Sequence, residues 1–287
     1  MGITVKTFCK LLRVNQYIKN LFIFMPLFFA HNFTDLAKIK MLIITFITFS
    51  LLASCVYIFN DITDIKYDRN HKKKKLRPVA SGQVSIKNAA VIGIILFILS
   101  FSLEALVPFH IFHIYIIYVG LNILYGRYLK NIAIIDILTV AFFYVIRLWI
   151  GSTIAEVTLT PYIIIMTFLL ALFLAISKRY DDLKYTEARK ITNEYNADFI
   201  RIAMTIFSAI IILCYIEYTV LPETIEKFNC NYLYITSVFV LAGILRYLQL
   251  TFVEENSYSP TEVCYKDRFM QLVLLGWIIA FSGIIYL

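Results

Sequence analysis

Nine stretches of about twenty mostly apolar residues, each the length that crosses the hydrocarbon core of a bilayer, constrain this 287-residue chain more than any motif in it. They run over 20–36, 40–59, 88–106, 109–126, 132–151, 160–177, 199–220, 232–250 and 269–287, separated by short polar segments. A soluble domain carries roughly 45–50% apolar and about 25% charged residues. Here hydrophobic residues make up 60% and charged residues 16%, with a mean hydropathy of +0.77. That leaves too little polar surface for a water-soluble globule. The expectation is an all-α polytopic membrane protein, a single integral domain over 1–287 built as a nine-helix bundle. The same numbers exclude disorder, a disulfide-rich secreted scaffold and a two-domain soluble enzyme. Cys9, Cys55, Cys214, Cys230 and Cys264 lie far apart, without a CxxC or a Cys/His cluster, and read as small apolar residues. The run after Lys19 is interrupted by Pro26 and lacks a small-residue cleavage site, so no cleavable signal is expected.

Lys and Arg number 27 against 19 Asp and Glu, a formal charge of +8, and where these charges collect is informative. With nine spans, the N-terminus and the loops after spans two, four, six and eight share one side. That side holds 22 basic residues: Lys6, Lys10, Arg13 and Lys19, eight from Lys66 to Lys87, Arg127 and Lys130, six from Lys178 to Arg201, and Lys266 with Arg268. The other side holds Lys38, Lys40 and Lys227, while Arg147 and Arg246 fall inside spans. The positive-inside rule places the N-terminus and the basic loops in the cytoplasm, in the plasma membrane. Asp61, Asp64, Asp68, Asp181 and Asp182 sit in the same loops, at the ends of spans two and six. Carboxylates crowded among cations at one rim point to a charged ligand and a metal. For Lys72 to Lys75 the plainer alternative is contact with anionic lipid headgroups.

The segment after span two reads Asn60-Asp61-Ile62-Thr63-Asp64-Ile65-Lys66-Tyr67-Asp68-Arg69-Asn70-His71, then four lysines, then Leu76-Arg77-Pro78-Val79-Ala80-Ser81-Gly82. At about 100° per residue, positions 60, 64, 68 and 61 fall at roughly 0°, 40°, 80° and 100°, on one narrow helical face. Three carboxylates at that spacing repel unless a cation lies between them. Hard oxygen ligands at a helix end suit Mg²⁺, which takes one or two carboxylates together with substrate phosphate oxygens. The structural alternative is a set of helix-end carboxylates paired with Lys66, Arg69 and the lysine run.

This pattern resembles the UbiA superfamily of intramembrane prenyltransferases, whose first aspartate-rich motif has the form NDxxDxxxD followed by a basic stretch and RPxxxG. Asn60, Asp61, Asp64, Asp68, Arg77, Pro78 and Gly82 match it in order. Four further segments resemble the decaprenyl-phosphate phosphoribosyltransferase branch: Arg13-Val14-Asn15-Gln16-Tyr17-Ile18-Lys19-Asn20; Tyr125 to Lys130 with Asp136 and Arg147; Ser177-Lys178-Arg179-Tyr180 with Asp181-Asp182-Leu183; and Ser259 to Val263 with Lys266-Asp267-Arg268. Aromatic prenyltransferases of the superfamily carry a second aspartate motif after span six, of which only Asp181 and Asp182 appear here. Adjacent residues point about 100° apart on a helix, which argues against both ligating one metal.

The resemblance implies a UbiA-type bundle with a cytoplasmic-side active-site cavity. It implies 5-phosphoribosyl 1-diphosphate as donor, a polyprenyl phosphate as lipid acceptor, and Mg²⁺ as cofactor. Asn60, Asp61, Asp64 and Asp68 would hold the metal. Arg77, Lys130, Lys178 and Arg179 would contact donor phosphates, and Gln16, Lys19 and Asn20 lie at the entrance to span one. Tyr125, Asp136 and Asp182 complete the expected site, with interhelical polar contact as the alternative for Tyr125 and Asp136. Arg147 reads as a functional charge, as a pair with Glu156, or as a snorkelling side chain. Glu104 and Glu217 read as interfacial, and His71, His110 and His113 as outside the site. Membrane lipids are the remaining partners; no nucleic acid is expected, and the sequence leaves open whether the chain forms an oligomer. Two other readings stand beside this one: isoprenyl transfer from an allylic diphosphate to an aromatic acceptor or haem, and a transporter, which would carry its ionisable groups at the midplane.

Overall fold

The computed structural model describes residues 4–31, 34–70, 74–107, 111–183, 194–254 and 260–286. His71, Lys72, Lys73, His110, Lys184, Arg189, Lys190 and Ser259 lie outside the described residues. The elements, in chain order, are α1 (Val5–Leu12), a 3-10 helix (Val14–Phe24), α2 (Met25–Phe29), α3 (Leu36–Thr63), α4 (Ile65–Asn70), α5 (Ile86–Glu104), α6 (Phe112–Arg127), α7 (Ile135–Ala155), α8 (Pro161–Leu183), α9 (Ala197–Val220), α10 (Pro222–Phe228), α11 (Ser237–Phe252), α12 (Pro260–Lys266) and α13 (Arg268–Tyr286). No strand occurs among the described residues. With every backbone group bonded inside its own segment, helices satisfy the demand a bilayer makes.

Among the described residues, seven helical segments are long and apolar enough to cross a bilayer: Leu36–Thr63, Ile86–Glu104, Ile135–Ala155, Pro161–Leu183, Ala197–Val220, Leu233–Phe252 and Arg268–Ile285. The other two apolar stretches are helical but shorter. The 109–126 stretch appears as the 16-residue α6. The 20–36 stretch falls across the 3-10 helix and α2, which carries Pro26 in its first turn, where the missing N–H costs no helical hydrogen bond.

The chain divides into two compact units. The first comprises Met1–Lys130 with Ile146–Thr158, the second Asn131–Val145 with Leu159–Leu287. In the first, α3 packs on α5, α6, α1 and the 3-10 helix. Side chains of a 3-10 helix eclipse at every third residue, and three residues rise about 6 Å, the same as four residues of an α-helix. Tyr17 and Asn20 use that match. The Tyr17 hydroxyl lies 2.8 Å from Ser54 Oγ, and Asn20 Nδ2 donates to Ser50 Oγ at 2.9 Å, one α-helical step away. Beyond them the Ile23 carbonyl approaches Gly151 so closely that an added Cβ would lie 2.0 Å from its oxygen. Asp35 caps α3, accepting from Ala37 N–H at 3.0 Å and Lys38 N–H at 3.1 Å.

In the second unit α8 packs on α9, and α11 on α9 and α13. Asp267, just before α13, receives the guanidinium of Arg246 on α11: Nη2 at 2.6 Å and Nε at 3.2 Å from Oδ2. Arg246 Nη1 reaches Glu254 at 2.6 Å and Gln249 at 2.8 Å. These bonds hold the Asp267 carboxyl below the usual carboxylate range. Glu104, at the end of α5, is buried, and its Oε1 accepts the Ile111 N–H at 2.8 Å.

Two outcomes test these contacts. Gly151→Ala forces the Ile23 backbone away, an overpacking cost of about 1–3 kcal/mol, and should lower the thermal unfolding midpoint in detergent by roughly 5 °C. Because the folded pKa of Asp267 is depressed, its contribution is present above the ordinary carboxylate pKa and is lost as pH falls through the folded value. The difference in midpoint between wild type and Asp267→Asn should therefore hold from pH 7 to 5 and shrink below about pH 4.

Candidate active site

The first unit gathers its charges from the loop upward. In Arg77-Pro78-Val79-Ala80-Ser81-Gly82, Ser81 N–H donates to the Arg77 carbonyl at 2.9 Å, Gly82 N–H to Val79 at 3.2 Å, and Val84 N–H to Pro78 at 2.9 Å. Gly82 closes the turn at φ +78, a conformation that glycine adopts without steric cost. The turn buries Val79 and Val84 against Leu11, Leu12 and Ile58, each such burial contributing about 1.5–3 kcal/mol. That small core fixes three things at once: Arg77 at the start of the loop, Arg13 just beyond α1, and Asp61 one turn beyond Ile58. Arg13 itself stands in the left-handed region at φ 53, where its N–H caps the Cys9 and Lys10 carbonyls.

The three side chains converge. Arg13 Nη2 donates to Asp61 Oδ1, Arg77 Nη1 reaches the same oxygen at 3.1 Å, and also Asp68 Oδ2 at 2.6 Å. Lys130 Nζ donates to Asp64 Oδ1 at 2.8 Å. Asp61 is 1% exposed and Asp68 3%, whereas the Asp64 side chain is 20% exposed. Burial lowers the pKa of Arg77, and the neighbouring Arg13 lowers it further, while Asp61 and Asp68 oppose both. The guanidinium of Arg13 lies 5.0 Å over the Tyr57 ring. The single helical face expected over 60–68 is interrupted: α3 ends at Thr63, and Asp64, at φ −90 and ψ 8, separates it from α4. Four-residue hydrogen bonds nonetheless run across the break, Asp64 N–H to Asn60 and Asp68 N–H to Asp64, both at 2.9 Å.

Among the described residues no group of three His, Cys, Asp or Glu side chains is gathered closely enough to cage an ion. Asp61 Oδ2, however, is buried with no hydrogen-bond partner in the protein. A desolvated carboxylate oxygen without a donor costs about 1–3 kcal/mol or more, which a further cation would relieve. The residues present thus fit Mg²⁺ held jointly with a substrate's phosphates rather than by protein alone.

The second unit holds its own cluster. Asp136, in the first turn of α7 and fully buried, accepts Arg179 Nε on Oδ2 at 2.8 Å and the Tyr195 hydroxyl on Oδ1 at 2.6 Å. Arg179 Nη1 donates to Asp182 at 2.9 Å. Lys178 is exposed beside it. The remaining expected residues are dispersed within the first unit. Asn20 is buried, its Nδ2 on Ser50 and its Oδ1 accepting Arg147 Nε at 2.8 Å. Gln16 and Lys19 are half-buried on the 3-10 helix, and Tyr125 half-buried on α6. Asn60 Oδ1 lies where a Cβ on Gly126 would touch it at 3.3 Å. Arg147 sits 5.1 Å from the Phe49 ring and 5.6 Å from the Tyr118 ring, while Glu156 pairs with Lys38 at 3.9 Å. Sequence reasoning assigned no role to Arg13 or Tyr195. Arg13 stood within a recognised segment, but its tie to Asp61 depends on the fold of the Arg77 loop; Tyr195 lies in no motif.

A helical, membrane-spanning chain with buried carboxylates gripped by arginines at a helix end is built like an integral membrane enzyme. Residues 21–280 match the UbiA prenyltransferase family, and the chain belongs to it. It is 26% identical to the decaprenyl-phosphate phosphoribosyltransferase of Mycolicibacterium smegmatis over 96% of this chain and 92% of that one. Its identity to the protein of that name from Corynebacterium glutamicum is 25%, over 97% and 86%. Its fold is similar to that of a UbiA homologue from Archaeoglobus fulgidus bound to DMAPP and Mg²⁺, with TM-score 0.70 and 18% identity over 98% of this chain and 100% of that one.

Burial separates two of the aspartates experimentally. Asp64→Ala should abolish activity and leave the unfolding midpoint near wild type, since Asp64 is part-exposed and holds one lysine. Asp61→Ala should lose activity and also destabilise by about 3–5 kcal/mol, because Arg13 loses its carboxylate partner and Arg77 one of its two. Midpoints and activity measured on the same detergent preparations check both.

Proposed function

We propose that the protein transfers a 5-phosphoribosyl group from 5-phosphoribosyl 1-diphosphate to a polyprenyl phosphate, with Mg²⁺, releasing diphosphate. The observation that carries this reading is the engagement of Asp182 with Arg179. Where an aromatic prenyltransferase needs a second set of metal-binding carboxylates, this chain presents an arginine fixed between Asp136 and Asp182, suited to a second phosphate. Likeness along almost the whole chain to relatives named as phosphoribosyltransferases supports the same donor.

In the reaction the bond from C1 to the diphosphate oxygen breaks, its electron pair leaving with diphosphate, and a bond from C1 to a lipid phosphate oxygen forms. Asn60, Asp61, Asp64 and Asp68 would hold Mg²⁺, which would supply positive charge against the diphosphate. Arg77 and Lys130 contact the diphosphate, Arg as a fork and Lys as a point charge. Lys178 and Arg179 contact donor phosphate, and Gln16 and Lys19 either donor or acceptor phosphate. The acceptor is already an anion, so no general base is needed. The basic loops and the N-terminus face the cytoplasm, in the plasma membrane, while the isoprenoid tail stays in the bilayer.

The test supplies purified protein with Mg²⁺, polyprenyl phosphate and 5-phosphoribosyl 1-diphosphate labelled in the ribose. Label should pass into the organic phase, with inverted configuration at C1. Absence of lipid-linked label under any divalent metal would overturn the donor assignment, and retention at C1 would overturn direct displacement. The allylic alternative draws on the solved homologue with DMAPP and Mg²⁺; labelled allylic diphosphate with an aromatic acceptor, run in parallel, distinguishes it.

A further inference from the structure

The second unit contains a hydrogen-bonded chain that no motif announces. Ile134 N–H donates to the Tyr195 hydroxyl at 2.7 Å, and that hydroxyl donates to Asp136 Oδ1 at 2.6 Å. The other oxygen of Asp136 accepts Arg179 Nε at 2.8 Å. Ile134 makes its contribution from the left-handed region, at φ 69. For a β-branched residue this is a costly conformation, and with its side chain 51% exposed Ile134 gains little packing in return. What the conformation does provide is an N–H aimed at Tyr195. Strain kept where it orients a polar chain is a mark of function.

The chain ends on a guanidinium whose direction is fixed twice, by Asp136 through Nε and by Asp182 through Nη1. Arg179 is 7% exposed and Asp136 0%, so the geometry is set inside the protein. A buried ion pair is a poor source of stability, since apolar residues of the same size serve as well or better. Its use here is orientation. Burial and the bond to Asp136 push the Tyr195 hydroxyl well above its ordinary pKa, so it remains a donor at any working pH. Hydrogen bonds in series polarise one another, and the loss of one hydroxyl loosens the whole set.

We propose that Tyr195 is a positioning residue: acting through Asp136, its hydroxyl sets the orientation of the Arg179 guanidinium and so the affinity of that arginine for donor phosphate. This rests on the reading of Arg179 as a phosphate contact. Tyr195→Phe removes the hydroxyl and keeps the ring, which packs against Phe199 at 6.0 Å between centroids.

The experiment uses full-length protein in detergent and reads two quantities. One is the KM and kcat for 5-phosphoribosyl 1-diphosphate. The other is the concentration of ligand giving half-maximal protection against thermal unfolding, with inorganic diphosphate plus Mg²⁺ in one arm and ribose 5-phosphate in the other. Tyr195→Phe should raise the donor KM about tenfold with kcat within about twofold, and should shift one protection arm by the same factor; the arm that shifts identifies which phosphate Arg179 serves. In an Arg179→Ala background, Tyr195→Phe should add nothing, because residues that act through one another are not additive. Asp136→Asn, which weakens both bonds on the carboxylate, should shift the same arm. A Tyr195→Phe protein with a lowered unfolding midpoint but wild-type KM and protection would overturn the proposal, as would additivity with Arg179→Ala. A shifted diphosphate arm without any transfer from 5-phosphoribosyl 1-diphosphate would overturn the donor assignment and still support Tyr195 as the positioning residue.

Discussion

An ionised side chain inside a bilayer has no water to turn to, and the fold depends on how each such group is met. Six charged residues are buried among those described: Asp61, Asp68, Glu104, Asp136, Arg147 and Arg179. Each meets a named partner. Asp61 has Arg13 and Arg77, Asp68 has Arg77, and Asp136 has Arg179 and Tyr195. Glu104 takes a backbone N–H, and Arg147 takes Asn20 and two aromatic faces. Removal of one member therefore costs more than a surface ion pair would. The polar residues of this chain are distributed by that rule before they are distributed by chemistry.

Within the first unit Asp61 is the point at which fold and site are the same thing. Its carboxylate holds together α1 through Arg13, α3 on which it stands, and the loop of Arg77. The small core of Leu11, Leu12, Ile58, Val79 and Val84 brings those three segments to one place. Asp64 and Lys130, by contrast, are more accessible and carry little of the fold. Burial is thus graded across the cluster: the more buried carboxylate gathers two arginines, and the more exposed one holds a single lysine.

Much of this was legible in the residues. The apolar runs foretold helices, since a twenty-residue run without charge has few other solutions in a membrane. The four-residue spacing of Asn60, Asp64 and Asp68 survives as real hydrogen bonds, even though Asp64 breaks the helix. The pairing of Asp136 with Arg179 was not legible, because complementary charges 43 residues apart are joined only by packing, whereas Asp182 meets Arg179 through the three-residue spacing of α8. Arg13 escaped notice for the same reason. For Arg147 the sequence leaves a functional charge, a pair with Glu156 and snorkelling open; the contacts described come from the 3-10 helix, α3 and α6, and Glu156 pairs with Lys38. The 3-10 helix itself had no signature apart from Pro26, which looked like an interruption and proves to open the α-helix that follows.

The row of Tyr17 and Asn20 has a consequence for how this segment can vary. Each residue turns a 3-10 helix by about 120°, so one inserted residue before them would carry both side chains off α3. Three inserted residues would restore the face and advance the chain by about 6 Å, one α-helical step along Ser54 and Ser50. Length in Val14–Phe24 is thus counted in threes, and the segment can shift along α3 only in whole rungs, like a rack engaged with its pinion.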